Sequence, residues 1–243
     1  MNKYLFVVPA FNEEDNIEKV ITGLKRIKNE HDVVVIDDGS IDKTGKIALE
    51  LGACLISHPI NLGAGASVQT GLKYALINNY RAAIVIDGDG QHDPAETAIL
   101  LEAFHNSAAD VMIGSRFLSG KRSNVPLLRK AGCKIFSAVI ALLTKKKITD
   151  TTSGFRIYGR KAIKLLANDM PEDFPDSNML LSLLLANMKI CEVPISSNRR
   201  SFGRSMYASW RAYYYPFKII INILAVLLRY ISKEKAMSGA QLI

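Results

Sequence analysis

Cysteine is scarce in this chain of 243 residues, which carries only Cys54, Cys133 and Cys191, without C-x-x-C or metal-ligand spacing. That excludes a disulfide-built scaffold and a thiolate metal site, and leaves the three as expected reduced core thiols of a cytosolic protein. Internal repeats and low-complexity segments are absent too, which excludes solenoids. No signal peptide is expected, because Met1-Asn2-Lys3 leads directly into a short apolar stretch. The apolar run Ile219 to Leu228, interrupted by Asn222, falls short of the roughly 20 residues needed to cross a bilayer. A dinucleotide fingerprint is also missing: Gly63-Ala64-Gly65 is followed by Val68 where the third glycine of Gly-x-Gly-x-x-Gly would stand. Glycines at a helix start can still accommodate a phosphate or a nucleotide.

What the chain does contain is two apolar runs that end abruptly in carboxylates. Ile84-Val85-Ile86 leads into Asp87-Gly88-Asp89-Gly90-Gln91, and Val33-Val34-Val35-Ile36 leads into Asp37-Asp38-Gly39-Ser40. A strand feeding each run delivers its carboxylates to the carboxyl edge of a sheet, where open α/β folds bind ligands. Two acids one residue apart repel unless a cation sits between them, and hard oxygen ligands favour magnesium or manganese. Asp-Gly-Asp-Gly is also good turn chemistry. The recurrence of the pattern at a second strand end favours a shared site.

The N-terminal half alternates strands and helices. Strands are expected at Tyr4 to Val8, Val33 to Ile36, Ala53 to Ile56, Ala82 to Ile86 and Asp110 to Ile113. Helices are expected after a turn at Pro9-Ala10-Phe11-Asn12, through Ile17, Val20, Ile21 and Leu24, then over Lys43 to Leu51 capped by Asp42, Ala66 to Leu76, and Pro94 to Phe104. The alternation predicts an α/β fold with a mostly parallel sheet covered on both faces.

Charge is divided between the halves. Residues 1–115 carry 9 basic and 16 acidic side chains, whereas residues 116–243 carry 22 basic and 7 acidic. In the basic half, Lys134 to Lys147 places Ile135, Phe136, Val139, Ile140, Leu142 and Leu143 beside Lys145-Lys146-Lys147, the composition of an amphipathic helix at an anionic interface or of a core helix with a solvated end. Trp210 to Phe217 and the apolar run after it, bracketed by Lys218 and Arg229, resemble a headgroup-level segment. Apolar runs interleaved with basic residues argue for a membrane surface and against a nucleic-acid groove.

Seven segments, in order, carry a family resemblance: VVPAFNEEDNI from Val7, VVIDDGS from Val34, NLGAGASVQTGL from Asn61, DGDGQHDP from Asp87, IGSRF from Ile113, DTTSGFRIY from Asp150 and EVPI from Glu192. The chain resembles family 2 glycosyltransferases of the GT-A nucleotide-sugar-binding fold, specifically the polyprenyl-phosphate sugar synthases related to dolichyl-phosphate mannose synthase. The resemblance implies a catalytic domain over residues 1–208, with a nucleotide-sugar and metal half (1–115) and an acceptor half (116–208), followed by an apolar helix and tail (209–243). It implies that Pro9, Phe11 and Glu13 line a nucleobase pocket, that Asp38 and Gly63 contact the donor, and that Asp87, Asp89 and Gln91 hold Mg2+ or Mn2+. Arg116, Ser153 and Arg156 would face the acceptor, and Arg200 and Ser205 would close over phosphates, with Asp89 and Arg116 central to catalysis.

The implied reaction is inverting transfer of a hexose from a UDP- or GDP-sugar to a polyprenyl phosphate, undecaprenyl or dolichyl, by a peripheral enzyme on the cytoplasmic membrane face. A small membrane protein or a second copy of the chain is a further candidate partner. The alternative acceptor is a sugar hydroxyl on a cell-surface or lipid-linked glycan, which needs a carboxylate base. Asp173 and Asp176 stand where hydroxyl-directed relatives place one, although Asp176 also suits a helix cap. A nucleotide-sugar-dependent scaffold or degenerate binding module would lack the intact Asp87, Asp89, Gln91 and Arg116. Met206 and Ala64 depart from the residues that relatives commonly carry there.

Overall fold

The structure is a computed structural model that describes residues 3–27, 31–118, 127–170 and 175–196. The segment expected to meet lipid headgroups, 210–228, and the tail beyond it lie outside the described residues.

Among the described residues, seven strands form one sheet: β1 (Tyr4–Ala10), β2 (His31–Asp37), β3 (Cys54–Ser57), β4 (Ala82–Val85), β5 (Val111–Ser115), β6 (Arg156–Gly159) and β7 (Ile190–Pro194). Their spatial order is β3-β2-β1-β4-β6-β5-β7. Only β6 runs against its neighbours, pairing antiparallel with both β4 and β5. Between the strands lie α1 (Ile17–Lys25), α2 (Thr44–Glu50), α3 (Ala64–Ile77), α4 (Thr97–His105), α5 (Leu127–Thr144), α6 (Arg160–Asn168) and α7 (Pro175–Leu185). A short 3-10 turn at Pro94–Glu96 opens the stretch read as one helix from Pro94.

The two-residue period of β1 divides the core into two layers. Leu5 and Val7 face α3, α5, α6 and α7, whereas Tyr4, Phe6 and Val8 face α1, α2 and α4. Helix α3 sits so close to β1 that a Cβ on Gly71 would lie 2.1 Å from Val7 Cγ1.

The expected turn at Pro9 is instead the end of β1, which continues to Ala10. Proline is tolerated because its carbonyl accepts from the Gly88 amide on the β4 side, and its missing N–H falls on that same side, beyond the last β1–β4 pair at Val7 and Val85. Cys54 is likewise not a core thiol. It stands on β3, the edge strand, with an exposed side chain, whereas Cys133 is buried and Cys191 half-buried.

This order places the switch point between β1 and β4: from β1 the chain winds outward through β2 and β3, then returns to the other flank at β4. Strand order thus reverses between β1 and β4, and open α/β sheets bind ligands in the crevice outside the carboxyl ends of their strands at such a point. The reversed β6 adds a second consequence. Register pairs Val85 and Ile113 with Arg156, so the segment leading into β6 starts at the same edge where β4 and β5 end.

Candidate active site

Three strand ends build the left wall of the crevice. After β1, Asn12 takes a left-handed conformation (φ 53°) and joins two loops: its amide donates to Ser40 Oγ (2.9 Å) and its Oδ1 accepts from the Ile41 amide (2.9 Å). The amides of Glu13 and Glu14 bond Thr44 Oγ1 and Asp42, and the Lys43 amide bonds Glu14. Glu13 itself is buried and accepts from Asn16 Nδ2 at 2.8 Å, a bond that braces the loop. Phe11 remains 44% exposed, an aromatic face at the rim. At the end of β2, Asp37 accepts from the Ser40 amide, and Asp38 accepts from the amides of Leu62 (2.9 Å) and Gly63 (2.8 Å) and from His58 Nδ1 (2.7 Å). Gly63 is at φ 93°, with open space where a side chain would project.

Opposite this wall lies the acidic turn after β4. The amides of Ile86 and Gly88 bond to β1, to the carbonyls of Val7 and Pro9 (both 3.1 Å), which carries the turn past the end of the strand. Gln91 closes it: its backbone amide meets Asp89 Oδ1 at 3.0 Å and its side-chain Nε2 meets Asp89 Oδ2 at 2.6 Å. His92 is buried against Phe155, with ring centroids 5.1 Å apart. Asp87 lies on the β6 lead-in so closely that a Cβ on Gly154 would stand 2.8 Å from Asp87 Oδ2. Only glycine at 154 leaves the carboxylate where it is.

These residues suit a hard divalent ion. Among the described residues no group of three or more His, Cys, Asp or Glu side chains could hold a metal. Asp87, Asp89 and the Gln91 amide oxygen instead offer an incomplete set of hard ligands, which suits an ion such as magnesium that retains water or substrate phosphate oxygens.

The right wall carries a buried ion pair. Arg116, just after β5, forms two parallel bonds to Asp150, Nε to Oδ2 and NH2 to Oδ1, both 2.8 Å, and a third from NH2 to Thr152 Oγ1 at 2.9 Å. Its backbone amide also donates to Asp150. Burial is the largest single influence on Asp150 and pushes its carboxyl up, but the bonds and charge of Arg116 outweigh it and hold the group below the usual carboxylate range. Glu192 on β7 props this pair from behind, accepting from the Thr149 amide and hydroxyl (both 2.8 Å) and from the Asp150 amide (2.9 Å).

The residues expected to face an acceptor are thus enclosed. Arg116 is 4% exposed and Arg156 is 0% exposed, its NH2 donating to the Thr151 carbonyl (3.2 Å), and Ser153 Oγ is buried, accepting from the Phe155 amide (3.3 Å). They underlie the wall instead of presenting charge at its surface. Asp176 falls in the first turn of α7, its side chain outside the description, and Asp173, Arg200 and Ser205 lie outside the described residues. His58, Asp150, Gly154 and Glu192 emerge only from the three-dimensional contacts. Asp150 and Gly154 do stand in the quoted DTTSGFRIY segment, and Glu192 in EVPI.

A sequence profile described as "Glycosyl transferase family 2" matches residues 5–166. The UDP-N-acetylglucosamine–dolichyl-phosphate N-acetylglucosaminyltransferase of Methanococcus voltae is 31% identical over 211 residues, covering 79% of this chain and 84% of that protein. The polyprenol monophosphomannose synthase of Mycolicibacterium smegmatis is 28% identical, covering 84% and 79%. Among solved structures, glucosyl-3-phosphoglycerate synthase of Mycobacterium tuberculosis, in complex with Mn2+, UDP and glucosyl-3-phosphoglycerate, superposes with a TM-score of 0.70 at 18% identity, covering 93% of this chain and 79% of that one. At that identity the likeness is one of fold.

Proposed function

This chain belongs to glycosyl transferase family 2, and from that premise we propose that it is an inverting hexosyltransferase moving a sugar from a nucleoside diphosphate to a polyprenyl phosphate. The observation that carries the reading is the pair of acidic strand ends, Asp37-Asp38 and Asp87-Gly88-Asp89, on opposite sides of one switch-point crevice. The names of the relatives, which specify dolichyl phosphate and polyprenol monophosphomannose, support the acceptor.

In this reading Phe11 and Pro9 meet the nucleobase, while Asp38 and Gly63 border the nucleoside. Asp87, Asp89 and Gln91 would hold Mg2+ or Mn2+, and the bound ion supplies positive charge beside the departing diphosphate. Mn2+ accompanies UDP in the glucosyl-3-phosphoglycerate synthase complex, which supports a divalent ion. The acceptor phosphate oxygen attacks the anomeric carbon as the bond to the diphosphate oxygen breaks, inverting that centre. A phosphate monoester is already ionised near neutrality, so the attack needs no carboxylate base, and in this reading Asp176 is not required for transfer. Arg116, Ser153 and Arg156 shape the acceptor wall from beneath, and Arg200 and Ser205 complete the phosphate contacts.

Helix α5 supports a peripheral position on the cytoplasmic membrane face. Phe136 and Ile140 join the core, while Ile135, Leu142 and Leu143 are exposed beside the exposed Lys134 and Lys145 to Lys147. No helix among the described residues is long and apolar enough to cross a membrane. Replacing Lys145, Lys146 and Lys147 with alanine is expected to weaken cosedimentation with anionic vesicles by about 1 kcal/mol per lysine.

The reaction is tested by incubating the protein with Mg2+ or Mn2+, undecaprenyl phosphate in detergent and labelled UDP- and GDP-sugars. Label from one donor should enter the lipid phase. Transfer only to an added glycan hydroxyl would replace the acceptor in this reading.

A further inference from the structure

Resting on the proposed nucleotide site, we infer that His58 is a positioning residue for nucleotide binding, clasping Asp38 so that the loop from His58 to Gly63 stands as a fixed wall. His58 follows β3 directly and is nearly enclosed, with 10% side-chain exposure. It is tied at three points. Its amide donates to the Asp37 carbonyl (2.8 Å), Nδ1 meets Asp38 Oδ1 (2.7 Å), and Nε2 meets Thr70 Oγ1 on α3 (3.0 Å). One imidazole thereby joins the ends of β2 and β3 to the helix that follows the loop.

The carboxylate chemistry sets the direction of each bond. An ionised carboxylate only accepts, so Nδ1 carries the proton directed at Asp38. Oδ1 then accepts twice, from His58 and the Leu62 amide, and Oδ2 accepts once, from the Gly63 amide. A carboxylate has about four acceptor positions, so Oδ2 retains capacity for a nucleoside N–H or O–H while the clasp is closed. Asp38 can both brace the loop and meet ligand only if its own rotamer is fixed, and His58 is the side chain that fixes it.

The loop also lies where it can act on the crevice. The Asp38 amide bonds the Ala10 carbonyl at the end of β1 (2.9 Å). Next to it, Gly39, at φ 76°, packs against the loop so tightly that a Cβ would stand 2.7 Å from the Ile60 carbonyl carbon and 2.9 Å from the Asn61 nitrogen. Any slackening at His58 reaches the strand ends within two residues.

The test compares His58→Ala, His58→Asn and Thr70→Val with the unaltered protein, using UDP and GDP with Mn2+ for calorimetric binding, steady-state kinetics with the active donor, and hydrogen exchange of the peptide spanning 58–66. An asparagine amide reproduces the Nδ1 donor but not the bond to Thr70. His58→Ala should weaken nucleotide binding and raise the donor KM about tenfold, with kcat within twofold, and speed exchange in 58–66. His58→Asn should restore most of the affinity, and Thr70→Val should shift it less than threefold. Wild-type exchange in 58–66 or wild-type nucleotide affinity in His58→Ala overturns the inference, as does an asparagine variant no better than alanine. If the unaltered protein binds neither nucleotide, the proposed function and the binding role fall together, and the exchange measurement still decides the clasp. If His58→Ala does not fold, His58→Phe, which keeps a ring but has no donor for Asp38, takes its place: weakened binding with faster exchange in 58–66, both recovered in His58→Asn, upholds the inference, and wild-type binding or exchange in His58→Phe overturns it.

Discussion

The two walls of the crevice handle their charges in opposite ways. On the left and across the acidic turn, Asp37, Asp38 and Asp89 are held largely by uncharged donors: the amides of Ser40, Leu62, Gly63 and Gln91 and the Gln91 side chain. Neutral donors orient a carboxylate without cancelling its charge. On the right, Asp150 is held by the Arg116 guanidinium in a bidentate pair that is almost fully buried, and the two charges neutralise each other. The lesson is that one wall orients its carboxylates with their charge uncancelled, as the proposed donor site requires, while the other uses charge as a strut, although both present acidic residues in the sequence.

The largest effect should come from removing charge that the proposed donor site requires. Asp89→Asn is expected to reduce sugar transfer by roughly a thousandfold with little change in thermal unfolding, measured by lipid-phase label and calorimetry, because the partners described for Asp89 are the neutral Gln91 amide and side chain. The strut should respond the other way. Asp150→Asn removes the charge that balances buried Arg116 and is expected to cost about 3–5 kcal/mol in urea unfolding. Because the Asp150 carboxyl lies below its ordinary value, its contribution is complete above about pH 4 and is lost as pH falls through the lowered value. The acid limb of the stability curve should therefore be shallower in Asp150→Asn. Gly154→Ala is the subtler probe, since it displaces the Asp87 carboxylate without altering charge. About a tenfold loss of Mn2+ affinity is expected, read by electron paramagnetic resonance, for roughly 1 kcal/mol of stability.

Much of the left side was legible because its signals are local. Apolar β-branched runs ending in Asp37-Asp38 and Asp87-Gly88-Asp89 announce both the strands and the edge where they stop. The right side depends on partners far apart in sequence: Arg116 and Asp150 are 34 positions apart, and Glu192 meets Thr149 across 43. No periodicity encodes such a pairing. The reversal of β6 was equally hidden, because a four-residue strand opening on a buried arginine carries no sign of its direction. Cys54 was misread because strand pattern alone does not tell an edge from a centre.

The reversed β6 bears on how this protein can vary. The chain leaves the rim after β5 and comes back to the same rim before β6, and the bond between Arg116 and Asp150 ties off the two feet of that excursion. Among the described residues between the feet, α5 included, none belongs to the sheet. Such a cassette can change length or character with the sheet's pairing left intact, so a lineage can vary this segment while inheriting the strands on either side unchanged.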